Sequence, residues 1–177
     1  MIKKILIGIG VLFLILLAYA AMQPADYVIQ REISINAKPE VIFPYLSGTK
    51  KNDEWMPWKD SDPSVKATYS GPDDGVGSIS SWESTGQMGV GSAEITEVIL
   101  NQKVIAKITY TKPMAFTQIS EFLLIPNGDQ TTMRWTVNGQ NSFVSRVVCL
   151  FMNMDKYVGG EFLKGLNKLK NLVENKN

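Results

Sequence analysis

From Ile5 to Met22 the chain runs through 18 consecutive uncharged, largely apolar residues. As a helix this run measures about 27 Å, close to the hydrocarbon thickness of a bilayer. Eleven of its residues are Ile, Leu, Val or Phe, and each favours insertion by roughly 0.3 to 0.6 kcal/mol with no charge in opposition. The run is therefore expected to cross a membrane rather than join the core of a folded domain. Lys3 and Lys4 precede it and no positive charge follows until Arg31, which places the N-terminal end in the cytoplasm and the remainder outside. A cleaved signal peptide is the competing expectation, because Ala18-Tyr19-Ala20 has the small-x-small form of a peptidase site behind the apolar stretch Ile5 to Leu17. Retention as an anchor is preferred, since the apolar run continues through Ala21 and Met22 up to Pro24. The expected organisation is a transmembrane anchor over 1–22, a linker over 23–26 and one domain over 27–177. That domain is cell-membrane bound and extracytoplasmic if the anchor stays, and secreted or periplasmic if it is removed.

Composition narrows the chemistry of the remainder. Lys and Arg number 18 against 17 Asp and Glu, a balance that gives no field to recruit nucleic acid. There is no histidine and a single cysteine, Cys149. That removes an internal disulfide, the zinc patterns built on His or paired Cys, and the Ser-His-Asp and Cys-His nucleophilic sets. No metal and no cofactor is expected, and protein partners cannot be read from the residues. Any catalysis must rest on carboxylates, Lys, Tyr or a backbone dipole.

Tyr27, Ile29, Arg31, Ile33 and Ile35 alternate with Gln30, Glu32 and Ser34, the pattern of a strand with one mostly apolar face. Pro39-Glu40 opens a short helix that Pro44 stops, and Asn52 to Trp58 reads as a second short helix or ordered loop. Six further strands follow as 65–70, 76–84, 90–100, 104–111, 116–125 and 131–137, separated by Gly, Pro and Asn punctuation. Asn127-Gly128 is the strongest hairpin signal among them. After Asn138-Gly139 the period becomes helical, with Val158, Phe162, Leu166, Leu169 and Val173 in one stripe. Lys156, Lys164 and Lys168 lie on another face, with Lys170 and Lys176 beyond, and read as a solvated face rather than a lipid-headgroup patch. A single helix is covered by six strands only if a twisted antiparallel sheet curls around it, which makes the class α+β.

The succession Arg31 to Phe43, Trp55-Met56-Pro57-Trp58, Gly75-Val76-Gly77, Trp82, Gly89-Val90-Gly91, Lys112-Pro113, Trp135 and Asp155 to Lys170 resembles the START-like superfamily SRPBCC, in its polyketide cyclase/dehydrase branch. The resemblance implies a helix-grip fold: a seven-stranded antiparallel sheet wrapped around a long C-terminal helix, two short helices after the first strand, and here a preceding transmembrane helix. It also implies an apolar cavity between sheet and helix, which in members that bind ligands takes lipids, sterols, polyketides or other hydrophobic molecules. The branch carries no universal catalytic set, and the fold alone does not fix a function.

The cavity candidates are Trp55, Trp58, Trp82, Tyr110, Phe122, Trp135, Phe162 and Gly165. Aromatic side chains line apolar ligand sites, and they fill ordinary cores equally well. Trp82 and Trp135 sit within strands and are read as core; Trp55 and Trp58, on an irregular segment, suit a cavity mouth or membrane contact. Gly159, Gly160 and Gly165 each cost a helix about 1 kcal/mol relative to Ala. Close packing on the sheet is preferred over space kept for a ligand. Glu83, Glu94 and Glu121 are read as solvent-face partners across strands, with Arg134 on the strand beside Glu121. The alternative makes one of them an acid or base facing the cavity. Tyr69 and Tyr110 are possible hydrogen-bond donors to a ligand carbonyl, and Cys149 is read as a buried small hydrophobe. The leading functional expectation is a membrane-tethered module for a small hydrophobic ligand. The alternatives are a cyclase- or dehydratase-like enzyme and a tethered interaction domain without ligand.

Overall fold

The structure, a computed structural model, describes residues 2–175, so Lys176 of the basic helix face lies outside the described residues. Helix α1 (Ile2–Met22) is long and apolar enough to cross a membrane, and Ala20 is its one buried residue. Strand β1 (Asp26–Ile35) leads into α2 (Pro39–Ile42), which Pro39 opens and a 3₁₀ turn at Phe43–Tyr45 closes. Two more single-turn helices follow, α3 (Thr49–Asn52) and α4 (Trp58–Ser61). The next strands are β2 (Lys66–Ser70), β3 (Ile79–Glu83), β4 (Val90–Ile99), β5 (Lys103–Lys112), β6 (Phe116–Asn127) and β7 (Gln130–Gln140). Helices α5 (Phe143–Cys149) and α6 (Met154–Glu174) complete the chain.

All seven strands form one antiparallel sheet in the order β1-β7-β6-β5-β4-β3-β2. The short helices carry the chain from one sheet edge to the other. Register shifts between β4 and β5, at Val90/Gly91 and Ile95/Glu97, add twist where the sheet must curl. The β6–β7 turn is Gly128-Asp129, one residue later than Asn127-Gly128. Asn127 pairs with Gln130, and Gly128 takes φ 63° at the first central position.

Packing divides the concave face into two halves. In one, Ile35, Met133, Leu124, Phe122, Val104 and Ile95 meet Leu166, Leu169 and Val173 of α6 and Ile42, Leu46 and Trp55 of the crossing segment, all buried. In the other, short side chains at Ser120, Ala93, Ser80 and Ala67 interrupt the larger inward residues Tyr27, Trp82, Ile108 and Tyr110, and all of them border open space. The same strands therefore build a solid core under the C-terminal part of α6 and leave space under its N-terminal part.

Candidate functional site

That space is a hollow of about 1810 Å³. Its wall on the sheet is built from Tyr27, Trp82, Ala93, Ile108, Tyr110 and Gln118, and its roof from Met154, Tyr157, Val158, Glu161 and Phe162 of α6. Strand pairing brings these distant positions together: Gly139 faces both Tyr27 and Gln118, Tyr110 faces Phe116 and Gly91, and Gly91 faces Trp82. Gly91 is required here, because a Cβ at that position would stand 2.5 Å from the Trp82 indole. The surface is mostly apolar, with hydroxyl and amide groups placed singly, the composition expected of a small-molecule site.

An aromatic cluster separates hollow from core. Phe162 stacks on Trp135 at 3.9 Å between centroids, and Trp58 meets both edge-on at 6.0 and 6.3 Å. These three line the hollow, as do Trp82 and Tyr110. Trp55, Phe122 and Gly165 do not; they belong to the solid half. Trp55 is fully buried with its Nε1 donating to the Tyr45 carbonyl at 2.9 Å, so it is no mouth residue. Phe122 packs against Trp55 and Trp135 on the core side of the cluster. Gly165 seats the Pro57 ring, whose Cδ would lie 3.0 Å from an added Cβ, so this glycine allows close packing. Trp82, read from its strand position as core, instead stands half-buried on the hollow beside Tyr110, with centroids 5.3 Å apart. Cys149 also lines the hollow and is half-buried rather than buried.

Two tyrosines differ in commitment. Tyr69 donates to Asp53, which also holds Lys59 at 3.0 Å. Among the described residues, nothing hydrogen-bonds the Tyr110 hydroxyl. Burial, with Tyr27 nearby, pushes its pKa up to about 12, so it remains a neutral donor across the physiological range.

Four carboxylates reach the lining, and each is already engaged. Hydrogen bonding to Asp53 raises Lys59 and keeps it an ammonium ion. Asp155 bridges to Arg31 of β1 at 2.9 Å, which lowers the acid. Burial opposes the charge on Glu161, but hydrogen bonds from Lys164 and Ser61 outweigh it and lower its pKa. Asp62 is the most heavily bonded. It accepts from the Ser64 hydroxyl at 2.6 Å, the Ser64 amide at 3.2 Å, the Ser84 hydroxyl and the Met88 amide at 3.0 Å. The two hydroxyls lead in holding it well below the usual carboxylate range. Asp62 thereby ties the end of α4 to the β3–β4 turn over the hollow. Sequence reasoning missed it, although Asp62-Pro63-Ser64 is a turn sequence whose aspartate bonds two residues on. Glu83, Glu94 and Glu121 lie on the convex face, where Glu83 is opposite Lys66 and Glu94 opposite Lys107. Arg134 sits on the strand beside Glu121, yet its carboxylate partner is Glu32 of β1 at 3.0 Å.

The sequence model described as Polyketide cyclase / dehydrase and lipid transport matches residues 27–174. The chain belongs to this family. No curated protein matches it. Solved structures with the family's fold include the Aha1 dimer from Colwellia psychrerythraea, 21% identical over 84% of this chain and 96% of that one, with TM-score 0.59. Norcoclaurine synthase from Thalictrum flavum, solved in complex with dopamine and hydroxybenzaldehyde, is 15% identical over 87% and 90% of the two chains, with TM-score 0.62. The di-domain ARO/CYC StfQ of the steffimycin biosynthetic pathway is 9% identical over 86% of this chain and 52% of its own, with TM-score 0.61. At these identities the likeness concerns the fold, which for this family is a helix-grip ligand-binding architecture.

Proposed function

We propose that the chain is a membrane-tethered module that binds a small hydrophobic molecule, a lipid, isoprenoid or polyketide-like compound, between the sheet and α6. Residues 1–22 serve as the anchor, 23–26 as the linker and 27–177 as the binding domain, with Lys3 and Lys4 on the cytoplasmic side. The hollow of about 1810 Å³ carries this reading, because a concave, mostly apolar surface with a few singly placed polar groups is what a site for a small hydrophobic molecule requires. Trp58, Trp82, Trp135 and Phe162 supply contact area, and Tyr110 supplies a donor for a carbonyl or hydroxyl on the ligand. Tethering raises the effective concentration of a membrane-dissolved ligand at the site.

A cyclase- or dehydratase-like reaction would need a carboxylate free to exchange a proton. Asp62, Asp155 and Glu161 on the hollow are held ionised by their partners, which weakens them as bases and removes them as acids, and Asp53 is committed to Tyr69 and Lys59, so binding is favoured over catalysis. Native mass spectrometry of the chain extracted gently from membranes tests the proposal. Copurified lipid-sized mass is the expected result, and an unliganded protein that also takes up no offered fatty acid or isoprenoid would sink it.

A further inference from the structure

The opening of the hollow is ringed by Met114, Phe116, Val144, Val148, Phe151 and Met152, every one of them exposed, Phe151 to 72%. Six large apolar side chains around one aperture are more than scattered surface hydrophobes. Their position relative to α1 is what gives them meaning. Arg146 of α5 donates from Nη1 to the carbonyls of Ala21 and Gln23 at 3.0 and 3.1 Å, and the Asn141 amide donates to the Ala25 carbonyl at 2.7 Å. Ala20 is buried at the same junction. The C-terminal end of α1 is thus fastened to the helix that forms one side of the aperture.

Helix α1 has 21 residues, and at about 1.5 Å each it matches the hydrocarbon core of a bilayer from end to end. If α1 spans, Ala20 to Gln23 lie at the headgroup boundary, and whatever is fastened there lies at the same depth. The Arg146 guanidinium suits that boundary. So does α5, with Phe143, Val144, Val147 and Val148 on one side and Ser142, Ser145 and Arg146 on the other.

We infer that the rim of the hollow is a membrane-docking face: α5 holds the aperture against the bilayer, and an apolar ligand passes from the leaflet into the hollow without crossing water. The inference rests on the anchor and the ligand-binding cavity proposed above. The occupant of the rim is the lipid surface itself.

The test uses the full chain in phosphatidylcholine–phosphatidylglycerol vesicles, with Cys149→Ala and an environment-sensitive fluorophore on Phe151→Cys or, as control, Leu100→Cys. Leu100 is 71% exposed at the β4–β5 turn and outside the rim. Lipids bearing a nitroxide high on the acyl chain are expected to quench the label at 151 and leave that at 100 bright. Equal quenching at both positions, in protein that resists alkaline extraction, overturns the docking face while the anchor survives. Extraction of the chain by alkali removes the anchor and the inference with it. A label at 151 shielded by a second copy in a detergent-solubilised dimer overturns the inference in favour of self-association.

The route of entry has its own readout, transfer of an NBD-labelled phosphatidylcholine. Val148→Asp with Phe151→Asp is expected to slow loading from vesicles about tenfold or more, with loading from detergent micelles unchanged. Met114→Glu, on the strand side of the rim, repeats the test should the double variant fold poorly. Equal loss from both sources, or no loss from vesicles, overturns the route. Wild-type protein that loads from neither source defeats the cavity proposal, and the quenching result still decides whether the rim docks.

Discussion

Asp62 shows how much a single buried acid can hold in place. Its carboxylate fastens Ser64, Ser84 and Met88 and is depressed in the folded state. The unfolded chain, with an ordinary aspartate of about 3.9, takes up this proton first as pH falls. The stabilisation is therefore complete above that value and lost progressively below it, toward the folded pKa. Asp62→Asn should lower the melting temperature at pH 7, and the gap from wild type should narrow as melts are recorded below about pH 4. Tyr110 has the opposite profile, a hydroxyl with no partner among the described residues. Tyr110→Phe keeps the ring stacked on Phe116 at 4.4 Å. It should leave stability within about 0.5 kcal/mol while weakening a carbonyl-bearing ligand by about 1 kcal/mol, as calorimetry with matched ligands would show. Neither role was visible as a motif. Trp55 and Trp82 exchanged their expected places for a related reason: which face a side chain occupies depends on register and on what crosses over it, and composition carries neither.

At the scale of elements most of the architecture was legible. The six-strand meander, the Pro39 helix start and the apolar stripe of α6 follow from period and punctuation, because side-chain alternation and helical spacing are local properties. Helix α5 was not legible: seven residues give too little period to separate a helix from a buried strand. The glycines of α6 illustrate what the structure adds. Gly165 lies against Pro57 and Trp135, whereas an added Cβ at Gly160 has nothing within 4 Å. Gly160→Ala is accordingly expected to stabilise the fold by about 0.5 to 1 kcal/mol through helix propensity. Gly165→Leu is expected to cost about 1 to 3 kcal/mol or more by overpacking. Urea denaturation of both variants checks the contrast, and similar behaviour of the two would contradict it.

For the whole molecule the decisive feature is the scatter of short inward side chains among large ones on the half of the sheet that faces the N-terminal part of α6. Register pairs Ala93 with Ser80 and sets Ser120 and Ala67 in the neighbouring inward rows on either side, and only that pairing brings them to one hollow, which is why a hollow could be expected from the resemblance but not located. Ala93→Phe projects a ring into the space. It should abolish uptake of a fluorescent fatty acid while the melting temperature stays within a few degrees of wild type. Unfolding instead would mean that no spare volume exists there.

The two-part interior also assigns different work to the two ends of α6. Leu166, Leu169 and Val173 clamp one end, so the molecule possesses a fixed jaw whose rigidity owes nothing to cargo. Around the other end, the proposed ligand would complete the packing. Amide exchange should therefore slow on loading only in α5 and the opening turns of α6, and filling or emptying the hollow should leave the clamped end unchanged.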